Sequence, residues 1–169
     1  MKTLLLLLFT LTLFTGCAKP KAPLATVPSV DLARYQGRWY EIARYEHFFE
    51  KGCTNVTATY KERQDGKIGV INRCVLEDGT RKEAHGVAQA VDATNTKLRV
   101  SFFWPFYGDY WILALDDDYT YALIGEPSRE YLWILSRSKE LDAAAKQRLL
   151  DLLPALGYQS STLIWTPQN

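Results

Sequence analysis

Histidine, cysteine and methionine are scarce in this sequence of 169 residues, which has two, three and one of them respectively. Few side chains are therefore available to coordinate a metal or to act as a thiol nucleophile. The sequence also lacks a Gly-x-Ser-x-Gly elbow, a glycine-rich phosphate loop and any metal-ligand spacing. We accordingly predict no catalytic residues, no metal and no cofactor, and we expect that the protein is not an enzyme.

Neither sign of charge is in excess, because twenty Lys and Arg residues face nineteen Asp and Glu residues. Proteins that neutralise phosphates need clustered basic residues, and no such block occurs, so we predict no nucleic-acid partner. Aromatic residues, in contrast, are abundant: five Trp, ten Tyr and seven Phe lie in a chain that is 47% hydrophobic. This composition indicates a packed domain and favours the binding of apolar or flat ligands.

The N-terminal apolar run follows a single positive charge and ends at Cys17. Crossing a bilayer takes about 20 apolar residues, so this shorter run is typical of a secretory signal. The ending Phe14-Thr15-Gly16-Cys17 resembles the bacterial lipobox, although Phe14 replaces the usual Leu, and the resemblance implies that Cys17 is acylated. The alternative is an ordinary signal peptide with an incidental cysteine. We predict a signal peptide over residues 1–16 and, because three prolines follow, an extended, solvated tether over residues 17–30.

From residue 31 onward the sequence predicts β-strands. Short runs rich in Val, Ile, Thr, Tyr, Phe and Trp recur at a spacing of about ten residues up to residue 136. Asp65-Gly66 supplies a two-residue hairpin turn between two such runs. Eight consecutive strands with short connections predict an all-β fold, an eight-stranded antiparallel up-and-down barrel. A C-terminal α-helix over residues 139–153, capped by Ser138, and a short ninth strand over residues 161–165 complete one domain, residues 31–169.

The side chains predicted to face the barrel interior combine aromatic rings with small residues. If Trp39 faces inward, simple alternation also places Ala43 and Tyr45 inside. Several small residues on the inner face are difficult to pack without voids, so the pattern favours a barrel with a lumen. The alternative is that the same aromatic residues form a tightly packed core.

Three features together resemble the lipocalins. Gly37-Arg38-Trp39 follows a short helical turn, as the Gly-x-Trp motif of that family does at the start of its first strand. Residues 116–121 resemble the second lipocalin motif, although the segment is one residue longer and lacks the Thr that usually precedes the first Asp. Arg137 matches the arginine of the third motif, and the resemblance implies that it stacks on Trp39 at the closed end of the barrel.

Longer stretches, over residues 37–43, 55–60 and 131–137, resemble the bacterial outer-membrane lipocalins, a subgroup related to apolipoprotein D. The resemblance implies that the protein binds fatty acids or lysophospholipids and stores or transports them for maintenance of the cell envelope. It also implies that Cys17, followed by Ala18, anchors the protein to the periplasmic face of the outer membrane. Homodimerisation, which the resemblance also suggests, is left open by the sequence.

We expect a single acyl chain to enter the lumen between seven inward-facing residues: Ala58, Tyr60, Val100, Phe102, Tyr110, Tyr131 and Trp133. The sequence leaves two other functions open. A lipocalin-fold enzyme acting on a lipid would need a titratable cluster inside the barrel. A pigment or haem carrier would need a matching pocket and, for haem, a ligating residue.

Cys53 and Cys74 form an even pair once Cys17 is acylated, in an oxidising compartment. The turn at Asp65-Gly66 places residue 53 nearly opposite residues 76–78, so a disulfide to Cys74 needs a bulge or an irregular strand start. We predict this disulfide; the alternative is two buried free thiols.

Two histidines, one glutamate and two phenylalanines are the remaining candidate residues. His47 and His85 are predicted to be solvated or hydrogen-bonded rather than catalytic, since neither lies beside a Ser or Cys nucleophile. Glu41 shares the inward phase of Trp39, and we expect it to pair with a cation. Phe48 and Phe49 fall in the loop after the first strand. The sequence leaves three roles open for them: a ligand lid, a contact with a membrane, or packing within the loop.

Overall fold

The computed structural model describes residues 22–169, so the predictions for Cys17 and the signal peptide lie outside the described residues. Two α-helices span Leu32–Tyr35 (α1) and Ala143–Leu156 (α2), and short 3₁₀ turns cover Phe48–Glu50 and Ser160–Thr162. Nine strands follow one another in the chain: β1 Gly37–Arg44, β2 Thr54–Glu62, β3 Ile68–Val75, β4 Arg81–Ala90, β5 Lys97–Phe103, β6 Phe106–Leu115, β7 Tyr121–Gly125, β8 Leu132–Ser136 and β9 Ile164–Trp165. No helix in this range is long and apolar enough to cross a bilayer.

The first eight strands form a closed antiparallel barrel. Each strand pairs with the next along the chain, and β1 pairs with both β8 and β2, which joins the two edges of the sheet. β9 pairs with the end of β1, at Ala43 and Arg44, beyond the residues that β1 shares with β2. This topology, in which short turns join neighbouring antiparallel strands, confirms the up-and-down barrel that was predicted from the strand spacing.

The two ends of the barrel follow from this up-and-down order. The closed end holds the start of β1 and the loops β2–β3, β4–β5 and β6–β7. The open end holds the loops β1–β2 (residues 45–53), β3–β4 (76–80), β5–β6 (104–105) and β7–β8 (126–131). We call the end of the barrel that these four loops surround the mouth.

A bulge in β1 changes which of its side chains face inward. The pairing of β1 with β8 shifts register between Glu41 and Ala43. Trp39 lies in the inner core, but Ala43 and Tyr45 pack on the outside, in the cluster beneath α2. The prediction that these two residues face the lumen is therefore wrong, because one inserted residue reverses the alternation. Arg44 takes the inward position instead, opposite Trp133.

Helix α2 begins four residues later than predicted. Asp142, not Ser138, caps it, and its carboxylate accepts hydrogen bonds from the backbone N–H groups of Ala144 and Ala145. The helix ends at Gly157, whose positive φ of 83° is the left-handed conformation that glycine adopts without strain. Its buried face packs on the outside of the barrel through Ala145, Leu149 and Leu153.

Residues 22–30 run along the barrel wall. The N–H of Val30 donates to the carbonyl of Thr94 at the closed end, and the N–H of Val27 donates to Ile112 on β6. Leu24 is buried in the cluster beneath α2, and the carbonyl of Ala22 accepts a hydrogen bond from Arg129 in the β7–β8 loop. This part of the predicted tether is extended, as expected, but it is packed on the barrel rather than solvated.

Candidate functional site

The floor of the barrel is built from the Gly-x-Trp motif and Arg137. The guanidinium carbon of Arg137 lies 3.9 Å from the ring centroid of the fully buried Trp39. Arg137 also donates hydrogen bonds to the carbonyls of Arg34 and Arg38, both at 2.9 Å. Gly37 has a φ of +96°, and a Cβ there would lie 3.3 Å from Arg137 Nη1. The predicted stack of Trp39 and Arg137 is confirmed, and it lies at the closed end of the barrel.

The loop that resembles the second lipocalin motif supports this floor. The carboxylate of Asp116 accepts hydrogen bonds from the backbone N–H groups of Thr120 and Tyr121, at 2.7 and 2.8 Å. The loop places the carbonyl of Tyr119 3.2 Å from Arg137 Nε, and the Tyr119 hydroxyl accepts a hydrogen bond from the N–H of Asp31. The motif therefore has a structural role at the closed end.

Three tyrosines join their hydroxyl groups above the floor. The hydroxyl oxygen of Tyr110 lies 2.7 Å from that of Tyr35 and 2.9 Å from that of Tyr60. Burial raises the pKa of all three phenols, so they remain neutral and hydrogen-bonded. Tyr60 and Tyr110 were predicted to line the lumen, whereas no sequence pattern indicated Tyr35.

The inner wall opens to solvent toward the mouth. Along β4 the inward-facing residues are Ala88, which is fully buried, Gly86, which is half-buried, and Ala84, which is exposed. A Cβ on Gly86 would come within 2.9 Å of the ring carbons of Phe102, which is itself partly exposed. The absence of a side chain at residue 86 lets the Phe102 ring pack directly against β4, while the inner face becomes more exposed from Ala88 to Ala84.

The seven predicted lining residues lie at different depths. Ala58, Val100, Tyr110 and Trp133 are partly buried against the inner core, and Tyr60 is buried within it. Tyr131 stacks on Trp133 near the mouth, with ring centroids 5.9 Å apart. The structure thus distributes the seven from the tyrosine cluster at the bottom to Phe102 and Tyr131 at the top.

Phe48 and Phe49 occupy different environments in the β1–β2 loop. Phe49 stacks on His47 with ring centroids 3.9 Å apart and also on Tyr131. Phe48 contacts Phe49 edge-on and is otherwise exposed to solvent. Phe49 therefore packs the side of the mouth, while Phe48 projects from it.

A cluster of buried polar side chains lies inside the upper barrel, and the sequence did not indicate it as a group. Arg44 Nη1 lies 3.3 Å from Glu41 Oε1, and Arg44 Nη2 donates to the carbonyl of Glu50 at 2.9 Å. Glu50 Oε2 lies 3.5 Å from both Arg44 Nε and His47 Nε2. The expected pairing of Glu41 with a cation is confirmed. The bulge in β1 is what turns Arg44 toward Glu41.

Burial controls the charge of this cluster. Desolvation, together with the nearby Glu41, raises the pKa of Glu50 to about 9. Desolvation, together with Arg44, lowers the pKa of His47 to about 4. At neutral pH, Glu50 and His47 are therefore both uncharged, and the ion pair of Arg44 with Glu41 carries no net charge. The ring nitrogens of His47, Arg44 Nε and Glu50 Oε2 have no hydrogen-bond partner among the described residues.

Cys53 and Cys74 form a disulfide, with their Cα atoms 5.5 Å apart. The pairing of β2 with β3 shifts register between Thr54 and Thr57, which supplies the bulge that the hairpin geometry required. The predicted disulfide is confirmed, and it ties the β1–β2 loop to the end of β3. His85, in contrast, is exposed beside Glu83, and residues 22–169 contain no group of three or more potential metal ligands.

Comparison with known proteins agrees with this architecture. The model of the lipocalin-like domain family matches residues 30–168. The chain is 43% identical over 160 residues to the outer membrane lipoprotein Blc of Escherichia coli strain K12, covering 92% of this chain and 90% of that protein. It is 36% identical over 148 residues to apolipoprotein D of Macaca fascicularis, covering 82% of this chain and 77% of that protein.

Among solved structures, insecticyanin of the tobacco hornworm Manduca sexta superimposes with a TM-score of 0.71 at 24% identity, covering 86% of this chain and 84% of that one. This likeness concerns the fold alone. The family model, the identity to these relatives and the Trp39–Arg137 floor together show that the chain belongs to the lipocalin family.

Proposed function

We propose that the protein binds the acyl chain of a fatty acid or lysophospholipid in its barrel and stores or transports it for maintenance of the cell envelope. The observation that carries the proposal is the inner wall, which is apolar between the floor and the buried polar cluster, includes small residues and becomes increasingly exposed toward the mouth. The neutral tyrosine cluster ends the cavity at the bottom. An apolar chain requires only such a lined cavity, without a ligating or reactive group.

The affinity can be estimated from the area that a chain would bury. Removing about 14 methylenes from water at ~0.8 kcal/mol each gives roughly 11 kcal/mol. Association costs about 4 kcal/mol at the low end, which leaves roughly 7 kcal/mol and a Kd on the order of 10 μM. We therefore expect chain length to dominate affinity.

The polar head of the ligand would lie near the mouth, beside the buried polar cluster. Because His47 and Glu50 are uncharged and Arg44 is paired with Glu41, the cluster offers hydrogen bonds without a net charge. The headgroup should consequently modulate affinity only modestly, and a carboxylate should have no large advantage over a zwitterionic phosphocholine group.

Calorimetric titration with palmitate, octanoate and palmitoyl-lysophosphatidylcholine tests the proposal. Both palmitoyl ligands should bind at least tenfold more tightly than octanoate. Ala58→Trp should weaken binding because the indole would occupy the lumen, whereas Thr57→Trp, on the outer face of the same strand, should not. Equal affinity for short and long chains, or equal binding by both variants, would contradict the proposal.

The relative named outer membrane lipoprotein supports a location at the outer membrane. We propose that acylated Cys17 anchors the protein there, at the periplasmic face, since two or three acyl chains give stable anchoring where one does not. Cys17→Ser should release the protein into the periplasmic fraction. Retention of that variant in the outer membrane would refute the anchor.

The buried polar cluster is the feature that a lipid-modifying lipocalin would need, so catalysis is the second candidate. Within it, the hydroxyl of Thr166 donates to Glu41 and accepts a hydrogen bond from Arg44, and Glu41 is itself paired with Arg44, so this hydroxyl is part of a structural ion-pair network. We expect no release of fatty acid when lysophospholipid is incubated with the protein. Turnover that is lost in Glu50→Gln would favour the enzyme instead.

A further inference from the structure

The open end of the barrel carries large apolar side chains that the fold does not bury. Phe103, Trp104 and Phe106, in and beside the β5–β6 turn, are 81%, 81% and 74% exposed, and Phe48 in the β1–β2 loop is 86% exposed. We call these four residues the aromatic rim. No charged residue occurs between Phe102 and Tyr107. Exposed aromatic residues concentrated at one end of a domain mark an interaction surface.

The two parts of the aromatic rim face each other across the mouth. The strand order around the barrel places β5 and β6 four strands away from β1 and β2. In a barrel of eight strands, that separation is half of the circumference. The rim residues therefore lie on opposite sides of the cavity entrance, and a flat surface that touches both would cover the entrance.

The path of residues 22–30 brings the N-terminal part of the chain to the same end. Val30 is hydrogen-bonded to Thr94 at the closed end, whereas Ala22 is hydrogen-bonded to Arg129 in the mouth loop 126–131. Only four residues lie between Cys17 and Ala22, and the five steps from one to the other span at most about 18 Å in an extended chain. An acyl anchor at Cys17 would thus hold the mouth, and not the closed end, close to the membrane.

We propose that the aromatic rim docks on the surface of the membrane that holds the anchor, so that the lipid ligand passes between bilayer and lumen without crossing bulk water. This inference rests on the proposed acylation of Cys17. The Trp104 side chain is suited to the interface between headgroups and acyl chains, where its apolar ring is buried and its indole N–H stays hydrated, and the three Phe rings add apolar surface that the bilayer can bury.

The charges around the mouth specify the kind of surface. Apart from Glu50, which is neutral, the loops and the start of β4 carry five acidic and four basic residues: Glu46, Glu77, Asp78, Glu126, Glu130, Lys51, Arg81, Lys82 and Arg129. A nearly balanced set without an excess of basic residues gives no net attraction to anionic lipids. Docking should therefore depend on the aromatic rim, work on zwitterionic phosphatidylethanolamine and change little between low and high salt.

Quenching of Trp104 fluorescence by brominated lipid tests the docking. The acylated protein, with the modification of Cys17 verified by mass spectrometry, is reconstituted into phosphatidylethanolamine vesicles that contain dibrominated acyl chains. The signal of Trp104 is the difference between the wild type and Trp104→Phe. We expect it to be quenched at least twofold, and we expect Phe103→Ser combined with Phe106→Ser to abolish most of that quenching.

Val91→Ser is the matched control, because Val91 is exposed at the closed end. It should leave the quenching of Trp104 unchanged. Transfer of a fluorescent anthroyloxy fatty acid from bilayer to protein should slow at least fivefold in the Phe103/Phe106 variant, while the Kd for palmitate stays within twofold.

The outcomes separate the docking from the proposed function. Acylated, palmitate-binding protein whose Trp104 is not quenched would overturn the docking and leave the proposed function intact. An unmodified Cys17 or absent palmitate binding would refute the proposed function, and an unmodified Cys17 would refute the docking with it. If the Phe103/Phe106 variant dissociates a dimer without changing the quenching, the rim contacts a second copy of the chain and the docking is wrong.

Discussion

Replacing Glu50 by Gln should make the stability of the barrel nearly independent of pH between pH 7 and pH 9. In the native protein, burial and the neighbouring Glu41 raise the pKa of Glu50 from 4.5 to about 9, although the nearby Arg44 acts in the opposite direction. The folded protein therefore holds a proton that the unfolded chain releases near pH 4.5. Glutamine keeps the shape of the neutral carboxyl group and has no proton to lose.

The sign and size of the effect follow from linkage. A raised pKa in the folded state contributes stability that is fully present below pH 4.5 and is lost as the pH rises toward 9, by at most ~1.4 kcal/mol per pH unit. His47 acts in the opposite direction and in another range: its pKa falls from 6.5 to about 4, so its contribution is present above pH 6.5 and lost below it. Between pH 7 and pH 9, Glu50 alone of these two groups changes stability, by about 1–3 kcal/mol after allowance for its coupling to Glu41.

Urea denaturation followed by circular dichroism at pH 7, 8 and 9 measures this difference. The free energy of unfolding of the wild type should fall across the series, and that of Glu50→Gln should stay level and exceed it most at pH 9. Glu46→Gln is the control, because it makes the same chemical change at an exposed position of the same loop. Parallel lines for the wild type and Glu50→Gln would show that Glu50 is ionised in the folded barrel and that the reasoning is wrong.

Three further predictions concern stability. Arg137→Ala should lower the free energy of unfolding by about 2–3 kcal/mol through lost backbone hydrogen bonds and stacking on Trp39. Arg148→Ala, which removes an exposed arginine, should leave it nearly unchanged in the same urea assay, and similar losses in the two variants would contradict the role of Arg137. Cys53→Ser with Cys74→Ser should cost about 3 kcal/mol, and the wild type in reducing agent should match it; an unchanged urea midpoint would refute the contribution of the disulfide. Gly125→Ala should cost about 1–3 kcal/mol, because its Cβ would lie 2.3 Å from the Tyr158 hydroxyl oxygen, while Gly108→Ala meets no atom within 4 Å and should be tolerated; equal melting temperatures would rule out the clash.

The sequence alone determined the barrel because its signals are local. Alternation of side chains, turn residues such as Asp65-Gly66 and β-branched runs depend on neighbours a few residues apart, and these specified eight strands and their order. The stack of Trp39 and Arg137 was predictable through family resemblance. Cys53 and Cys74 were predictable as a pair, although the bulge that lets them meet was not located.

The tertiary structure decided everything that depends on pairing between distant segments. The bulge in β1 arises where that strand pairs with β8 and β9, so no local pattern showed that Arg44, and not Ala43, would face inward. Glu50 in the β1–β2 loop and Thr166 in the C-terminal segment both contact the ion pair of Arg44 and Glu41. A period of two can be read from neighbouring residues, but the inserted residue that reverses it is fixed by hydrogen bonds to strands far along the chain.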